Sequence, residues 1–253
     1  MALHASSSVA FEFLAQVETS YSGLIGSTLA DRDIGLGGKL LYAGKLDDDA
    51  RALIVAANIA GATSLTASAD PEVQKQALRD GTVDFLVGSL DEALRILKNQ
   101  LRKREPVAVC VALAPEVIEQ EMRERGVLPD LVETDLPMKV EEASAPKETA
   151  TVVWSVASAP AQWLPKLDAT ALDCLDPNAA RARRWLRLAP RYLGRTAQSI
   201  RLLRCDSAFT TRFTERVRGQ VERGEIGTAV EMQIRDADGT TRHLGFEPES
   251  RGT

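Results

Sequence analysis

The residues with the clearest chemical potential lie in one predicted turn. A predicted buried strand ends at Ala43, and Gly44, Lys45 and the three consecutive aspartates 47–49 follow it at the start of a predicted helix. In many α/β proteins this position holds a phosphate group, because glycines let the backbone approach closely and the helix N-terminus donates N–H groups. Three carboxylates would instead repel a pyrophosphate. The sequence therefore predicts a turn at the position of a phosphate site, but with carboxylates that would not bind a phosphate.

The aspartates themselves allow two interpretations. Carboxylate oxygens are ligands for divalent cations, but three adjacent residues at a helix start do not easily converge on one ion. Alternatively, Asp47 or Asp48 caps the helix, and the negative charges favour the positive end of its dipole. We favour the capping interpretation, with Lys45 and Arg51 partly neutralising the group, and we predict no metal site.

Histidines and cysteines offer no catalytic constellation. His4 lies near the chain start and His243 lies in a predicted hairpin strand, and neither belongs to a triad or metal motif. Cys110 lies in an apolar strand and is interpreted as a small core side chain. Cys174 and Cys205 have no sequence partner that would favour a reactive thiolate. We therefore assign no catalytic residue, and we expect three free thiols in a reducing compartment.

Composition and charge narrow the class of protein. The chain has 253 residues, is 44% hydrophobic and carries a net charge of −5, which argues against a generally basic nucleic-acid binder. The N-terminus lacks a signal-peptide pattern, and no apolar run reaches the roughly 20 residues that would span a bilayer. We expect a cytoplasmic protein without membrane contact.

Charge is distributed unevenly, however. Residues 176–225 contain twelve Arg, no Lys and five acidic residues, whereas residues 130–150 contain six acidic residues and two Lys. These segments are solvated surfaces, an interdomain or homodimer contact rich in Arg–carboxylate pairs, or an anion or nucleic-acid surface. Four arginines recur at helical spacing: Arg181, Arg184, Arg187 and Arg191. They would form either the interdomain or homodimer contact or the surface that binds an anion or nucleic acid.

Strand and helix patterns alternate in the first half of the chain, after an amphipathic helix at about 10–30. Predicted strands lie at 39–43, 63–67, 83–87, 106–113 and 131–132. Predicted helices lie at 49–60 and at 71–80, the second of which begins with the N-cap Asp70 and with Pro71 at the first helical position. Two more lie from 90 onward, behind the capping-box pair Ser89 and Glu92, and from 115 to Gly126. This alternation predicts a parallel sheet with right-handed crossovers.

The pattern changes beyond a polar linker at 134–149. Predicted strands lie at 151–157 and 199–205, and the chain ends in a hairpin at 228–235 and 241–246 around an Asp-Ala-Asp-Gly turn. Predicted helices lie at 160–167, behind Asp176 up to Pro190, and from Asp206 to about 223. These elements predict a second, smaller α/β unit.

From Gly38 through Leu94 the chain resembles the dinucleotide-binding part of urocanase (urocanate hydratase), with an extra residue near Lys45. The matching elements are Gly38-Lys39-Leu40, Ala43-Gly44, Ala56-Ala57, Ala60-Gly61, Asp70-Pro71, Val83-Asp84 and Leu90-Asp91-Glu92-Ala93-Leu94. The likeness continues from Arg123 to Val132 and returns at Trp154, Asp176, Arg184-Trp185-Leu186, Val217 and Arg223-Gly224-Glu225-Ile226. It implies a Rossmann-like domain at 33–133, inserted into a unit formed by 1–32 and 150–253.

The departures from the family bear on activity. The resemblance implies an NAD site, but the family's glycine-rich turn is replaced here by Lys45-Leu46-Asp47-Asp48-Asp49, and its ribose-binding acid falls at Ser68. The family's active-site segments have no counterpart. The implied site is therefore a vestigial pocket of Gly44, Lys45, Asp47, Asp48, Asp49 and Ser68, with no cofactor.

We accordingly expect a non-catalytic urocanase-like protein with a binding or assembly role, forming a homo-oligomer. One alternative is an NAD-dependent hydratase-like lyase acting on urocanate. A further alternative is an anion or nucleic-acid binder that uses the Arg-rich C-terminal segment.

Overall fold

The computed structural model describes residues 2–27, 35–132, 149–194 and 198–248. The chain divides into two compact units, one made of residues 15–140 and the other of residues 1–14 and 141–253. The first unit is thus inserted, along the sequence, between two parts of the second. Helix α1 (Ala2–Ser27) spans the first boundary and buries Leu14, Val17 and Leu24. Phe11 and Phe13 on the same helix are half-buried.

The unit of residues 15–140 contains a five-stranded parallel sheet. Its strands are β1 (Leu40–Lys45), β2 (Thr63–Ala67), β3 (Phe85–Val87), β4 (Ala108–Val111) and β5 (Leu131–Val132), in the spatial order β3-β4-β2-β1-β5. The connecting helices are α2 (Asp48–Ala60), α3 (Pro71–Asp80), α4 (Leu90–Lys103) and α5 (Pro115–Glu124). The predicted parallel α/β architecture is confirmed.

The inner strands β1, β2 and β4 of this sheet are buried almost throughout, as apolar strands covered on both faces require. The edge strand β3 instead leaves Phe85 and Leu86 exposed. One face packs against α4 and α5 through Leu90, Leu97 and Ile118. Helix α2 contacts β1 and β2 and is buried over most of its length. The carboxyl ends of β1 and β2 therefore meet at one edge above a rigid core.

Local capping fixes the helix boundaries. The predicted N-cap Asp70 accepts hydrogen bonds from the backbone N–H groups of Glu72 and Val73. Ser89 accepts from Glu92 N, but the Glu92 carboxylate accepts from Gly88 N instead of completing a box with Ser89. Strand β3 begins at Phe85 and not at Val83 as predicted, because the Asp84 carboxylate accepts a hydrogen bond from Ala108 N at 2.8 Å.

The second unit contains an antiparallel sheet in the order β7-β6-β8-β9. Its elements are β6 (Thr149–Val156), α6 (Pro160–Cys174), α7 (Ala180–Tyr192), β7 (Ile200–Asp206), α8 (Ser207–Glu222), β8 (Val230–Arg235) and β9 (Thr241–Phe246). The core centres on Trp154, whose ring packs edge-to-face with the Phe213 ring, with the two ring centroids 5.0 Å apart. The Nε of Arg201 donates to both carboxylate oxygens of Asp168, at 3.0 and 3.1 Å, in a largely buried ion pair.

Three predicted boundaries in this unit are wrong. Helix α6 continues to Cys174 and contains Pro165. The N-cap of α7 is Ala179, because the Asp176 carboxylate instead accepts from Asn178 N in a preceding turn. Pro190 lies inside α7 and does not end it. The predicted cap Asp206 is confirmed, since it accepts from Phe209 N at 2.6 Å.

The linker predicted at 134–149 falls almost wholly outside the described residues, as does the predicted end of the first helix near residue 30. Within the described ranges, none of the helices combines the length and apolar character needed to cross a membrane. The cysteines Cys110, Cys174 and Cys205 are free, as predicted. All three are buried, although burial was predicted for Cys110 alone.

Asp130 fastens the edge strand β5 to β1. Its carboxylate accepts from Leu40 N and from Lys39 Nζ, both at 2.9 Å. Burial would raise the pKa of Asp130, but these hydrogen bonds and the Lys39 charge outweigh it and hold the pKa below its usual value.

We expect Asp130→Asn to destabilise the fold by about 1 kcal/mol, because a charged acceptor of a backbone N–H is lost. Since folding lowers this pKa, the contribution is complete above about pH 4 and disappears as the pH falls through the folded value. Urea unfolding followed by circular dichroism at pH 7 and pH 3 measures both effects. Lys75→Gln, which breaks the exposed pair with Glu72, is the control. An Asp130→Asn deficit equal at the two pH values would contradict this assignment.

Candidate functional site

A bulge at the end of β1 shapes the candidate site. Tyr42 pairs with Leu65 and Lys45 pairs with Ala67, so β1 carries one more residue than β2 over this stretch. Gly44 lies in the bulge with a φ of 62°, a left-handed conformation that favours glycine. The Thr66 hydroxyl donates to the Gly44 carbonyl at 2.9 Å. The bulge places the extra residue where the sequence differs from the family pattern.

The chain then turns directly into α2. Leu46 N donates to Ala67 O at 3.0 Å, and the Leu46 side chain is 2% exposed. Asp47 is the N-cap in an extended conformation, and its Oδ1 accepts from Ala50 N at 3.0 Å. Arg51 N donates to Asp47 O. The helix N-terminus is therefore satisfied by a carboxylate of the chain itself, which confirms the capping interpretation.

Asp48 and Asp49 occupy the first turn of α2 with exposed side chains. Asp49 accepts a hydrogen bond from the Gln16 side chain. Across the described part of the chain, the His, Cys, Asp and Glu residues form no group that could hold a metal ion. The three carboxylates lie where they interact favourably with the positive end of the helix dipole.

Of the two predicted neutralising cations, Lys45 alone has no partner among the residues that the structure describes. Lys45 is exposed at the end of β1. Arg51 instead pairs with Asp80 at 3.0 Å and donates to Val73 O at 3.2 Å, with its side chain 14% exposed. The prediction for Arg51 is wrong because its position on α2 directs it toward α3. Arg51 ties two helices together and leaves the aspartates less neutralised than expected.

Ser68 lies beside the turn but is occupied. It follows β2 and is 5% exposed. Its hydroxyl accepts from Asp70 N at 3.2 Å, and its carbonyl accepts from the Gln74 amide at 2.6 Å. The structure thus brings all six predicted pocket residues to one sheet edge, and Ser68 serves the turn that begins α3.

Two further ionisable groups lie on strands of this sheet, Tyr42 on β1 and Cys110 on β4. Burial and then the neighbouring Glu119 raise the pKa of Tyr42, whose hydroxyl donates to Glu119 Oε1 at 3.3 Å. Burial raises the pKa of the Cys110 thiol to about 11, against the opposing effect of the Ser68 N–H. Both groups are neutral near pH 7 and neither supplies a nucleophile. Tyr42 and Thr66 bond to partners distant in sequence, Glu119 and Gly44, so no local sequence signal points to their roles.

The remaining predicted residues lie in the other unit. Arg181, Arg187 and Arg191 are exposed on α7, while Arg184 is half-buried. Arg191 lies over the Tyr192 ring, 5.3 Å from its centroid. Arg183 points inward and donates to Leu172 O at 2.8 Å. His243 is exposed on β9, as predicted, and the side chain of His4 lies outside the described residues.

We expect Asp47→Ala to destabilise α2 by about 1 kcal/mol, whereas Asp47→Asn should have little effect, because asparagine caps as well as aspartate. Peptide-resolved hydrogen exchange across α2 measures the difference, about fivefold in exchange rate. Asp48→Ala, which removes a first-turn charge without removing the cap, is the matched control. Equal effects of Asp47→Ala and Asp47→Asn would show that charge alone matters here.

The geometry of this unit agrees with a comparison with known protein families. Residues 29–139 match the family model described as the urocanase Rossmann-like domain. The match covers β1 to β5 and includes the bulge, the Asp47 cap and Ser68. Residues 29–139 are therefore a Rossmann-like domain of the urocanase family.

Proposed function

We propose that this chain is a non-catalytic urocanase-like protein that has lost dinucleotide binding and serves in binding or assembly. One observation carries the proposal. The Ala50 N–H, which in a phosphate-binding turn would be available to the ligand, is held by the Asp47 carboxylate at 3.0 Å. A pyrophosphate would have to displace this cap and then occupy the same place.

Electrostatics opposes that displacement. Two unit charges about 4 Å apart interact by about 1 kcal/mol in water and about 4 kcal/mol near a protein surface. Asp47, Asp48 and Asp49 would all lie near a phosphate bound at this helix start, and Arg51 is engaged with Asp80. The repulsion therefore exceeds what one exposed Lys45 could offset.

Groups that would bind the ribose of NAD or catalyse hydration are also lacking among the described residues. The Ser68 hydroxyl is buried and already bonded, so it is a poor substitute for a carboxylate that would accept from ribose hydroxyls. Near this edge the one cysteine is Cys110, whose pKa is raised to about 11. Among the described residues we find no positioned acid–base pair beside the turn that would support hydration chemistry.

We expect calorimetric titration with NAD to give no heat of binding up to millimolar ligand, because the site is capped and negatively charged. The control is the same titration after Asp48→Ala, which leaves the cap in place and should also fail to bind. Saturable binding by the unmodified protein in the micromolar range would contradict the proposal. Turnover of urocanate above a heat-killed control, with NAD present, would favour the hydratase-like alternative.

We also propose that the protein self-associates in the cytoplasm. Three free cysteines fit a reducing compartment. The exposed Arg187 and Arg191 on α7 form a basic surface, and residues 130–150 supply six acidic residues that a second copy could present to it.

We expect the double substitution Arg187→Glu and Arg191→Glu to shift an oligomer toward monomer in size-exclusion chromatography with light scattering. Like charges would then face each other across the contact. Arg79→Glu, on α3, is the control and should leave the size unchanged. A monomeric unmodified protein would contradict self-association. Salt-sensitive binding of mixed DNA that the double substitution abolishes would favour the nucleic-acid alternative.

A further inference from the structure

A groove of about 380 Å³ lies between the C-terminal end of α6 and the exposed side of α8. It belongs entirely to the unit with the antiparallel sheet, so it does not depend on the state of the β1–α2 turn. Three arginines line it, Arg212, Arg216 and Arg223, together with the carboxylates of Asp173 and Glu215. Its volume suits a small ligand.

Arg212 is fixed at one end of the groove. Its Nε and one terminal nitrogen donate to the carbonyl of Cys174, the last residue of α6, at 3.2 and 2.9 Å. This contact caps a helix C-terminus with a cation and holds the guanidinium in place. The remaining N–H groups of Arg212 are left to other acceptors.

Arg223 is brought into the groove by Gly219. The Nε of Arg223 pairs with Glu225 at 2.7 Å. One terminal nitrogen of Arg223 lies 2.8 Å from the position that a Cβ on residue 219 would take. Any side chain at this position would displace the guanidinium. A glycine inside a helix costs about 1 kcal/mol relative to alanine. Helix α8 thus carries a residue unfavourable for helix formation at the point where Arg223 folds back.

Arg216 is the least engaged of the three arginines that line the groove. Within the described ranges its side chain makes no hydrogen bond or ion pair, although it lies one helical turn from Arg212. Burial raises the pKa of Cys174, and the charges of Arg216 and Arg212 oppose that increase. The positive field of both arginines therefore reaches the inner wall of the groove.

We propose that this groove binds a small phosphate monoester, with the phosphate held by Arg212, Arg216 and Arg223. Guanidinium groups match phosphate oxygens with paired N–H donors. Three such groups exceed what the two oxygens of a carboxylate require. Asp173 and Glu215 accept hydrogen bonds from hydroxyl groups on the rest of the ligand.

The two carboxylates also argue against a nucleic-acid strand. They leave the lining with only one net positive charge, whereas a strand would place several phosphates along an uninterrupted basic track. A single phosphate can sit among the arginines while its hydroxyl-bearing part faces the carboxylates.

The test is calorimetric titration of the full chain with glycerol 3-phosphate. We expect saturable binding by the unmodified protein and at least tenfold weaker binding by Arg216→Gln. Gly219→Ala should weaken binding at least threefold while leaving thermal stability equal or higher, since helix propensity improves as Arg223 is displaced. Arg218→Gln is the matched control, because Arg218 is on the same helix but lies over the Phe246 ring. It should bind like the unmodified protein.

Several outcomes would overturn the proposal. They are no saturable binding at 10 mM ligand, unchanged affinity in Arg216→Gln, or equal binding of acetate. Tighter, salt-sensitive binding of mixed-sequence DNA that Arg216→Gln abolishes would replace it with a nucleic-acid surface.

Discussion

The hydrogen bond from the Thr66 hydroxyl to the Gly44 carbonyl sets the path of the chain through the candidate site. It holds the bulge in which β1 gains a residue, and Gly44 supplies the left-handed conformation that the bulge needs. From there Leu46 is buried and Asp47 arrives at the start of α2 in the extended conformation of an N-cap. A single buried hydroxyl on β2 thus determines which residue meets the helix N-terminus.

The start of α2 is therefore a position where α/β proteins often bind anions, but here it carries carboxylates. The carboxyl edge of a parallel sheet and the N-terminus of the following helix normally attract anions. Here the chain places its own carboxylate on the Ala50 N–H and two more beside it, so the attraction is satisfied internally. Under the proposed function, this fold needs no phosphate bound at the start of α2, because the Asp47 cap makes the interaction that a phosphate would make.

Much of the fold was predictable because its signals are local. Asp70-Pro71 and Thr63–Ala67 gave correct boundaries, since caps, proline and apolar runs act within a few residues. Asp176 failed as a cap because its carboxylate closes a turn with Asn178 instead. Pro190 failed as a stop because α7 continues through it to Tyr192.

The site was predictable in location but not in its contacts. The order of strand, turn and helix placed Asp47 and Ser68 at one edge, and residue type predicted a cap at Asp47 or Asp48, which the structure assigns to Asp47. Arg51 could not be assigned correctly, because its partner Asp80 lies on another helix. Thr66 and the groove of Arg212, Arg216 and Arg223 likewise depend on elements that meet only in the folded chain.

The central claim is that the N-terminus of α2 is closed to a dinucleotide by the chain's own carboxylate. Amide chemical shifts measured by NMR during titration with NAD test it at the atoms concerned. The account predicts that the amides of Asp48, Asp49 and Ala50 do not shift at millimolar NAD. Saturating shifts centred on these three amides would contradict it.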